Sequence, residues 1–583
     1  METEEKNVAA PEDAAQPEVA TETAAPTASG EVAATVKPYK GFAGKLDKFF
    51  GISKSGSNFK TEIFAGITTF LAMAYILTVN PNQLLAGLSG ENGVITNAIT
   101  GAQIQQYWSS IFIATAFGAL IGTLLMALFA KLPLAQAPGM GLNAALGGII
   151  GGTASGGFGF SFGTSMLIVL ISGLLFLVLT VVPCGRDKET GKLIGIREKI
   201  FESIPAGIRV AIPVGIGLFI AFIGFQNSGL IVTNGFTQVD LVKFTDWGNQ
   251  LVQWGKLTDD QAIWLGSLAT FGPAAKTAIV ALISLIAIAI LSHYKVKGSV
   301  IIGIIIATLA AMCFGNGVVV NFDTIAGSNG HITWKFWENF QNFFSFDASN
   351  GGAFGAAFYD VKFPAGSVLF VIVTVLSFCM IDMFDTMGTV LGCCSKANLL
   401  DENGKPIRFN RVMMSDSIAT CTGAILGTST VTTFVESGTG VAAGGRTGMT
   451  ALTTSLLFLL SIFLLPVFAF IPSAATAGAL IYVGVLMMSN VKNIDFHDLR
   501  NAVPAFLTII LMPLAYSITD GIGMGIVSYC IINIICYVID LIKYAAVKGK
   551  SGAEAVKPKW NISVVLGIIA IVFLVYFFLP SSI

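Results

Sequence analysis

The sequence predicts an all-α polytopic membrane protein built from two inverted repeats of seven spans, with a short extended segment before each of two half-helices. Three observations predict this fold. The 583-residue chain is 54% hydrophobic and only 11% charged, whereas soluble domains carry about 25% charged residues. Apolar stretches long enough to cross a bilayer recur along the chain. Two stretches, at corresponding places in the two halves, are short and interrupted by Gly, Pro or Thr: 134–152 and 428–446.

The predicted spans are apolar stretches separated by polar residues, because about 20 apolar residues cross the hydrocarbon core as a helix. A fifteenth stretch, 561–579, follows the last of fourteen. The fourteen are 61–80, 107–130, 139–152, 162–183, 206–226, 275–293, 298–315, 364–387, 412–427, 436–446, 449–469, 472–489, 502–518 and 521–542.

The spans divide the chain into five predicted parts. Each repeat has seven spans, and this odd number forces the second repeat into the opposite orientation. An Ile-Pro after a long apolar span opens corresponding helices in both repeats, at 204–205 and 471–472. The parts are a disordered tail and cytoplasmic lead-in (1–58), the first repeat (59–315), an extracellular loop (316–363), the second repeat (364–542), and a basic cytoplasmic loop with a possible extra span (543–583).

The charged residues predict the orientation. Cytoplasmic loops are enriched in Lys and Arg. With the tail inside, 19 Lys and Arg fall in inside loops and 5 in outside loops. We therefore expect a multi-pass protein of the plasma or inner membrane with a cytoplasmic N-terminus. Glu62 and Asp540 lie near span ends, where we expect them to be solvated.

Composition argues against several other classes. The chain has no basic stripe typical of nucleic-acid binding and no G-x-x-x-x-G-K-[ST] phosphate loop. Its eight cysteines form no C-x-x-C pair, and its three histidines fall at the end of an apolar span or outside the spans. We therefore predict no metal, no cofactor and no enzymatic activity.

Glu436 is the most informative residue, because an ionised side chain at membrane depth is costly and is retained mainly for function. It lies where the second half-helix is predicted to begin, and a helix N-terminus favours an acid. We interpret it as a carboxylate that accepts hydrogen bonds from N–H groups of a ligand. The alternative is an N-cap with no other role.

Further polar candidates lie on neighbouring spans. Asp382 and Asp385 are three residues apart, so we expect them to share a helix face, and one of two such carboxylates should take up a proton. Asp385 is the preferred ligand contact because Thr386, Gly388 and Thr389 follow it and open space for contact. The alternative is that one acid pairs with a backbone group or with Arg446.

Two other polar residues each have two possible roles. Asp416 either caps its helix or hydrogen-bonds across to the site. Asn143, at the first half-helix, offers both a donor and an acceptor, so it is either a ligand contact or a bracket for the backbone. Gln136, Thr68 and Thr69 are weaker candidates.

Five segments resemble the nucleobase/cation symporter family, and within it the AzgA-like purine permease branch for hypoxanthine, guanine and adenine. The resemblance covers most of the chain. The segments are GITTFLAMAYILTVNP (66–81), QAPGMGLNA (136–144), DMFDTMGT (382–389), DS-IAT (416–420) and GTSTVTTFVESGTGVAAGGRTG (427–448).

The resemblance implies a core domain and a gate domain, and it carries site residues onto this chain. Asp385 matches the eighth-span acid before x-x-Gly, and Glu436 matches the acid of a Thr-Thr-aromatic-x-acid pattern in the tenth. Asp416 matches the ninth-span acid and Asn143 the third-span polar residue. The long tail, the long outer loops, Cys393-Cys394 and the fifteenth span depart from the family pattern.

The leading functional prediction is proton-coupled uptake of a purine base. Phe434 and Tyr75 are candidates for stacking on the ring, and Asp382, Asp385, Asp416 and Glu436 are candidates for proton coupling. A homodimer is implied by the resemblance only. The alternatives are an anion transporter of the same fold, for sulfate or bicarbonate, and a membrane receptor that moves nothing.

Overall fold

The computed structural model describes most of the chain. Parts of the predicted tail, of both outer loops and of the basic loop after 548 lie outside the described residues. These residues are 40–85, 101–150, 159–186, 193–195, 203–234, 238–242, 271–296, 298–313, 336–347, 351–363, 367–401, 406–548 and 558–578.

The first repeat contains helices in the predicted order. The span predicted at 61–80 is two helices joined by a bend at Ala74 and Tyr75, and a π-helical turn extends α4 to Ala130. The helices are α1 (Gly41–Phe50), α2 (Phe59–Met73), α3 (Ile76–Leu85), α4 (Gly101–Leu125), α5 (Met140–Ile149), α6 (Phe162–Val181), α7 (Ala206–Asn227), α8 (Phe271–His293) and α9 (Ser299–Cys313).

The second repeat follows two short helices of the outer loop. Its first helix runs to Lys396, well beyond the predicted end at 387. The helices are α10 (Phe336–Phe343), α11 (Ala356–Tyr359), α12 (Val368–Lys396), α13 (Phe409–Leu426), α14 (Ser437–Ala442), α15 (Gly448–Ser461), α16 (Leu465–Ala469), α17 (Ser473–Met488), α18 (Leu499–Leu514), α19 (Ile518–Lys548) and α20 (Val564–Phe578).

The predicted fold class is confirmed. Within the described residues, nine helices are long and apolar enough to cross a membrane, and shorter apolar helices accompany them. The six strands in the described part of the chain form three two-stranded pairs. They are β1 (Gln136–Pro138), β2 (Pro183–Arg186), β3 (Leu193–Gly195), β4 (Ile231–Asn234), β5 (Gln238–Leu241) and β6 (Val431–Thr433).

The helices pack as two bundles. Helices α7, α8 and α9 pack with α17, α18 and α19, whereas α2 to α6 pack with α12 to α15. The bundles meet where α7 contacts α5 and α12. At this seam a Cβ on Gly141 would lie 3.0 Å from Ile518 Cδ1 and 3.2 Å from Ile216 Cγ2, so the first half-helix lies directly against the other bundle.

The described outer-loop segment packs on the bundle that contains α2 to α6. In the segment 333–344, whose aromatic pattern predicts an element at the membrane interface, the described helix α10 packs on α4. The Phe343 ring is fully buried and lies 6.1 Å from the Phe117 ring. Further along, Gly355 N–H donates to Ile425 O at the end of α13.

Candidate functional site

The two interrupted spans cross as a pair of antiparallel strands. Gln136 of β1 pairs with Thr433 of β6, and Pro138 pairs with Val431. Gly139 N–H donates to Thr430 O at 2.9 Å, and Phe434 N–H donates to Ala135 O at 3.0 Å. Lipid cannot satisfy free backbone groups, so each repeat completes the hydrogen bonds of the other at this crossing.

Glu436 lies where the strand β6 turns into the half-helix α14. It occupies the N-cap position, but its side chain makes no capping hydrogen bond. Its Oε1 instead accepts a hydrogen bond from the Tyr75 hydroxyl at 2.7 Å, and Tyr75 also lies 3.4 Å from Met140 Sδ. The bend between α2 and α3 therefore holds Glu436 against the start of α5.

The half-helix α14 is shorter than the predicted 436–446. It ends at Ala442, and Gly444 has a φ of 102°, a conformation that glycine adopts readily and that ends helices. The Arg446 guanidinium donates to the carbonyls of Val441 at 2.7 Å and Gly445 at 2.8 Å. The predicted pairing of an acid with the Arg446 side chain is therefore not seen in the described part of the chain.

Asp385 of α12 lies near Glu436. The two carboxylates interact electrostatically, and Asp385 is partly exposed. One turn further, Gly388 is exposed and a Cβ placed there would meet no atom within 4 Å, whereas Thr389 is buried. The α12 face that carries Asp385 thus opens onto free space, as the Gly388 pattern predicts.

Asp382 and Asp416 lie behind this site and are shielded from solvent. Both are fully buried. Thr420 Oγ1 donates to Asp382 Oδ2 at 2.8 Å, and Thr386 Oγ1 donates to Asp416 Oδ2 at 2.7 Å. Each acid of α12 or α13 therefore takes a hydroxyl from the facing helix. We call Asp382 and Asp416, with these two threonines, the acid pair.

The strand pair is tied to the acid pair by side chains. Gln136 Nε2 donates to Asp416 Oδ1 at 2.7 Å, and Thr433 Oγ1 lies 3.4 Å from the same oxygen. Thr420 Oγ1 lies 3.3 Å from Val431 O. Asp416 lies inside α13, so the predicted cap is wrong and the alternative, a bond across to the site, is confirmed.

The predicted shared face of Asp382 and Asp385 is only partly correct. The two acids interact electrostatically, but Asp382 hydrogen-bonds to α13, whereas Asp385 lies near Glu436. A three-residue step on a helix leaves side chains about 60° apart, and that angle is enough to give them different neighbours.

Asn143 and Phe434 are buried near the crossing. Ser429 Oγ donates to Asn143 Oδ1, and Asn143 Nδ2 lies 3.5 Å from Pro138 O. Asn143 thus links the backbone of the first interrupted span to the Ser429 side chain of the second. The Phe434 side chain is 5% exposed and Tyr75 is 2% exposed, so both rings line the crossing from within the protein.

The sequence reasoning missed several contacts. The bonds from Thr386 to Asp416 and from Thr420 to Asp382 are not predicted, although D-x-x-x-T occurs twice, from Asp382 and from Asp416, and this spacing places acid and hydroxyl on one helix face. Gln136 is more central than a weak candidate, because its amide binds Asp416. Thr68 and Thr69 bond back to their own helix.

Glu62 is a clear correction to the sequence prediction. It is fully buried rather than solvated. Its carboxylate accepts hydrogen bonds from Arg446 N at 3.0 Å, Thr447 N at 3.3 Å and Thr450 Oγ1 at 2.6 Å. It therefore satisfies backbone donors at the start of α15, a need that the sequence of α2 does not reveal.

Known proteins of similar sequence cover most of the chain. The profile of a family described as "Permease family" (Xan_ur_permease) matches residues 254–524. Putative permease MJ0326 of Methanocaldococcus jannaschii is 36% identical over 489 residues, 84% of this chain and 92% of that protein. Adenine permease AdeP of Escherichia coli is 34% identical over 495 residues, 84% of this chain and 91% of that protein. The chain belongs to this permease family.

The resemblance noted in the sequence is thereby confirmed, and this permease is a multi-pass membrane transport protein, not an enzyme. Guanine/hypoxanthine permease PbuG of Bacillus subtilis is a further relative, 33% identical over 489 residues, which are 83% of this chain and 93% of that protein. Among solved structures, the transmembrane domain of a cyanobacterium bicarbonate transporter, BicA, matches with a TM-score of 0.51 and 13% identity over 80% of this chain and 97% of that one. This likeness concerns the fold alone.

Proposed function

We propose that this permease takes up purine nucleobases, namely hypoxanthine, guanine and adenine, in symport with protons. The observation that supports the proposal is the proximity of two carboxylates, Asp385 of α12 and Glu436 directly after β6, where the Tyr75 hydroxyl holds Glu436. A purine presents several N–H donors on one edge, and carboxylate oxygens only accept hydrogen bonds. The two acids therefore suit a neutral, nitrogen-rich ring.

The residues at the crossing have different roles in this proposal. Asp385 and Glu436 accept hydrogen bonds from the base, and Thr389 borders the open face beside Asp385. Tyr75 holds Glu436 in place through its hydroxyl. Phe434 offers a ring for stacking, and Asn143 keeps the ends of the interrupted spans in register. The names of the relatives AdeP and PbuG, an adenine permease and a guanine/hypoxanthine permease, support purines as the substrate class.

Transport requires that the crossing face each side of the membrane in turn. The strand pair and both half-helices belong to one bundle, the core, and α5 lies against Ile216 and Ile518 of the other, the gate. We propose that the core moves against the gate and that protonation of buried acids biases the movement, because a ligand shifts an equilibrium only by binding one state better. The Lys and Arg distribution supports an N-terminus in the cytoplasm and a location in the plasma or inner membrane.

An anion substrate is disfavoured by the same geometry. Asp385 and Glu436 would repel sulfate or bicarbonate, and the Arg446 guanidinium is engaged by backbone carbonyls. The match to a bicarbonate transporter shows the shared fold and does not change the charge of this site.

The test is uptake of radiolabelled hypoxanthine by the full chain reconstituted in proteoliposomes, with unlabelled purines, sulfate and bicarbonate as competitors. We expect purines alone to compete. Glu436→Gln keeps the size of the side chain but replaces one acceptor oxygen with a donor, so we expect uptake to fall about 100-fold, which corresponds to about 3 kcal/mol for a hydrogen bond to a charged group.

Asp540→Asn is the matched control, since this acid lies on α19 in a surface pair with Arg500 at 3.0 Å. It should transport like the wild type. Inhibition by anions but not by purines would contradict the proposal, as would full activity of Glu436→Gln at equal amounts in the membrane.

A further inference from the structure

The acid pair is not symmetric in its hydrogen bonds. The Asp416 carboxylate accepts short hydrogen bonds from Thr386 and Gln136 and a longer one from Thr433. Asp382 receives only Thr420, on Oδ2, and its Oδ1 is buried without a hydrogen-bond partner in the described part of the chain. One carboxyl is thus well supplied with donors, and the other has one oxygen left open.

Among the described residues, the surroundings of Asp382 provide no positive charge. Its electrostatic partners are Asp416 from α13 and Asp385 from its own helix, and the Cys379 and Cys421 thiols lie near it. The elements α6, β1 and β6 contribute no ionisable side chain. Two buried anions without a counter-cation are costly, so the arrangement calls for a cation at one of them.

We propose that Asp382 is the proton-carrying group of this permease, with the proton on Oδ1, and that it is physically separate from the purine-binding carboxylates Asp385 and Glu436. This inference rests on the proposed symport. Asp416 remains the ionised partner, because its oxygens are occupied by donors that suit a carboxylate. The proton enters Asp382 from one aqueous side and leaves it to the other, with no other bond made or broken.

Direct contacts connect the acid pair to the substrate site, so a change of charge in the pair can affect the site. Thr420 donates to Asp382 and lies within hydrogen-bond distance of Val431 O, and Gln136 of β1 binds Asp416. A change of charge at Asp382 alters the hydrogen bond from Thr420 and hence the position of β6. Because β6 leads directly to Glu436, the proton and the purine act on the same strand from opposite ends.

The experiment separates exchange from accumulation in proteoliposomes that contain the full chain. For one proton per purine, a gradient of one pH unit supports about tenfold accumulation. Asp382→Asn mimics the permanently protonated acid. We expect it to exchange internal for external hypoxanthine like the wild type while its pH-driven accumulation falls to a ratio of about one.

A second variant guards against loss of folding. Thr420→Val keeps Asp382 but removes the hydroxyl that stabilises its ionised form, so the pH at which accumulation is half-maximal should rise. A purely structural role of Thr420 would lower activity without moving the pH profile. Asp540→Asn serves again as the matched control and should match the wild type in both assays.

Each outcome decides the proposal. Accumulation that persists in Asp382→Asn, loss of exchange together with accumulation in a correctly folded variant, or wild-type accumulation driven by a sodium gradient without a pH gradient would overturn the assignment of the proton to Asp382. A wild-type protein that neither exchanges nor accumulates purines would instead refute the proposed function itself.

Discussion

At the scale of single residues, the bend after α2 is what gives the site its geometry. Tyr75 lies in this bend, buried, and its hydroxyl reaches the Oε1 of Glu436 in the other repeat. An aromatic residue predicted to stack on the ligand thus also positions a ligand carboxylate. Hydrogen bonds to charged groups contribute about 1.5–3 kcal/mol, so this contact is large enough to measure.

Tyr75→Phe should weaken hypoxanthine binding about tenfold, because the ring remains and only the hydrogen bond to Glu436 is lost. Binding to purified protein, measured by calorimetry or scintillation proximity, checks this expectation. Tyr537→Phe, at a surface contact with Trp560 on the α19 side, is the matched control. Unchanged affinity in Tyr75→Phe would show that Glu436 is held by other contacts.

The sequence predicts which residues of the site are polar better than it predicts their partners. Glu436 and Asp385 stand out because acids are costly within a membrane, and both lie at the crossing. The Thr386–Asp416 and Thr420–Asp382 bonds depend on how α12 and α13 face each other, and no local pattern fixes that rotation. Glu62 is buried for the same reason, since its partners lie 384 to 388 residues away.

At the scale of elements, the half-helices depend on close contacts with glycine. Gly147 of α5 lies against the backbone of α3, and a Cβ there would collide with Gln83 O. On α14, a Cβ on Gly440 would collide with Thr69 Oγ1 of α2. Each half-helix is therefore pressed against one half of the first span, and small residues permit this approach, as in many membrane helices.

Gly147→Ala should destabilise the protein by about 1–3 kcal/mol, the usual cost of overpacking. Its neighbour Gly148 provides a matched control in the same half-helix, because a Cβ there would meet nothing within 4 Å. Gly148→Ala should be neutral or stabilising by up to about 1 kcal/mol, since alanine favours helix. Melting temperatures in detergent test both changes, and equal effects would show that the contact with Gln83 is unimportant.

The sequence predicts these elements unevenly. Gly and Pro in 134–152 and 428–446 correctly indicate interrupted spans, because a helix cannot continue through them at low cost. The pairing of β1 with β6 and the end of α14 at Ala442 are set by contacts between the repeats. No periodic pattern in the sequence indicates those contacts.

At the scale of the whole molecule, the described outer segment 351–363 belongs with the core bundle. The Asp360 carboxylate accepts a hydrogen bond from Gly163 N–H at the start of α6 at 3.1 Å, and Ser161 Oγ donates to Asp360 O at 2.6 Å. If the core moves against the gate, this segment is expected to travel with it.

The Asp360 contact should be sensitive to pH. Burial raises the pKa of the Asp360 carboxyl above its ordinary value, while the Gly163 N–H and the charge of Lys362 oppose the rise. The folded protein then binds the proton more tightly than the unfolded chain, so this group's contribution to stability falls as pH rises from about 4 through the raised value. The melting temperature of the wild type, relative to Asp360→Asn, should therefore decrease over that range. A constant difference would contradict this sign.

The pairing of β1 with β6 also has a consequence for biosynthesis. Gln136 and Thr433 lie 297 residues apart, and a ribosome adds about 5–20 residues per second, so the first strand waits roughly 15–60 s for its partner. During that interval the Gly139 N–H and the Ala135 carbonyl lack the Thr430 and Phe434 partners that they have in the folded protein, and lipid offers none. The amino-terminal half is therefore expected to remain beside the insertion machinery until the carboxy-terminal half has been synthesised and the two can fold together in the bilayer. When produced alone, the amino-terminal half is expected to be degraded.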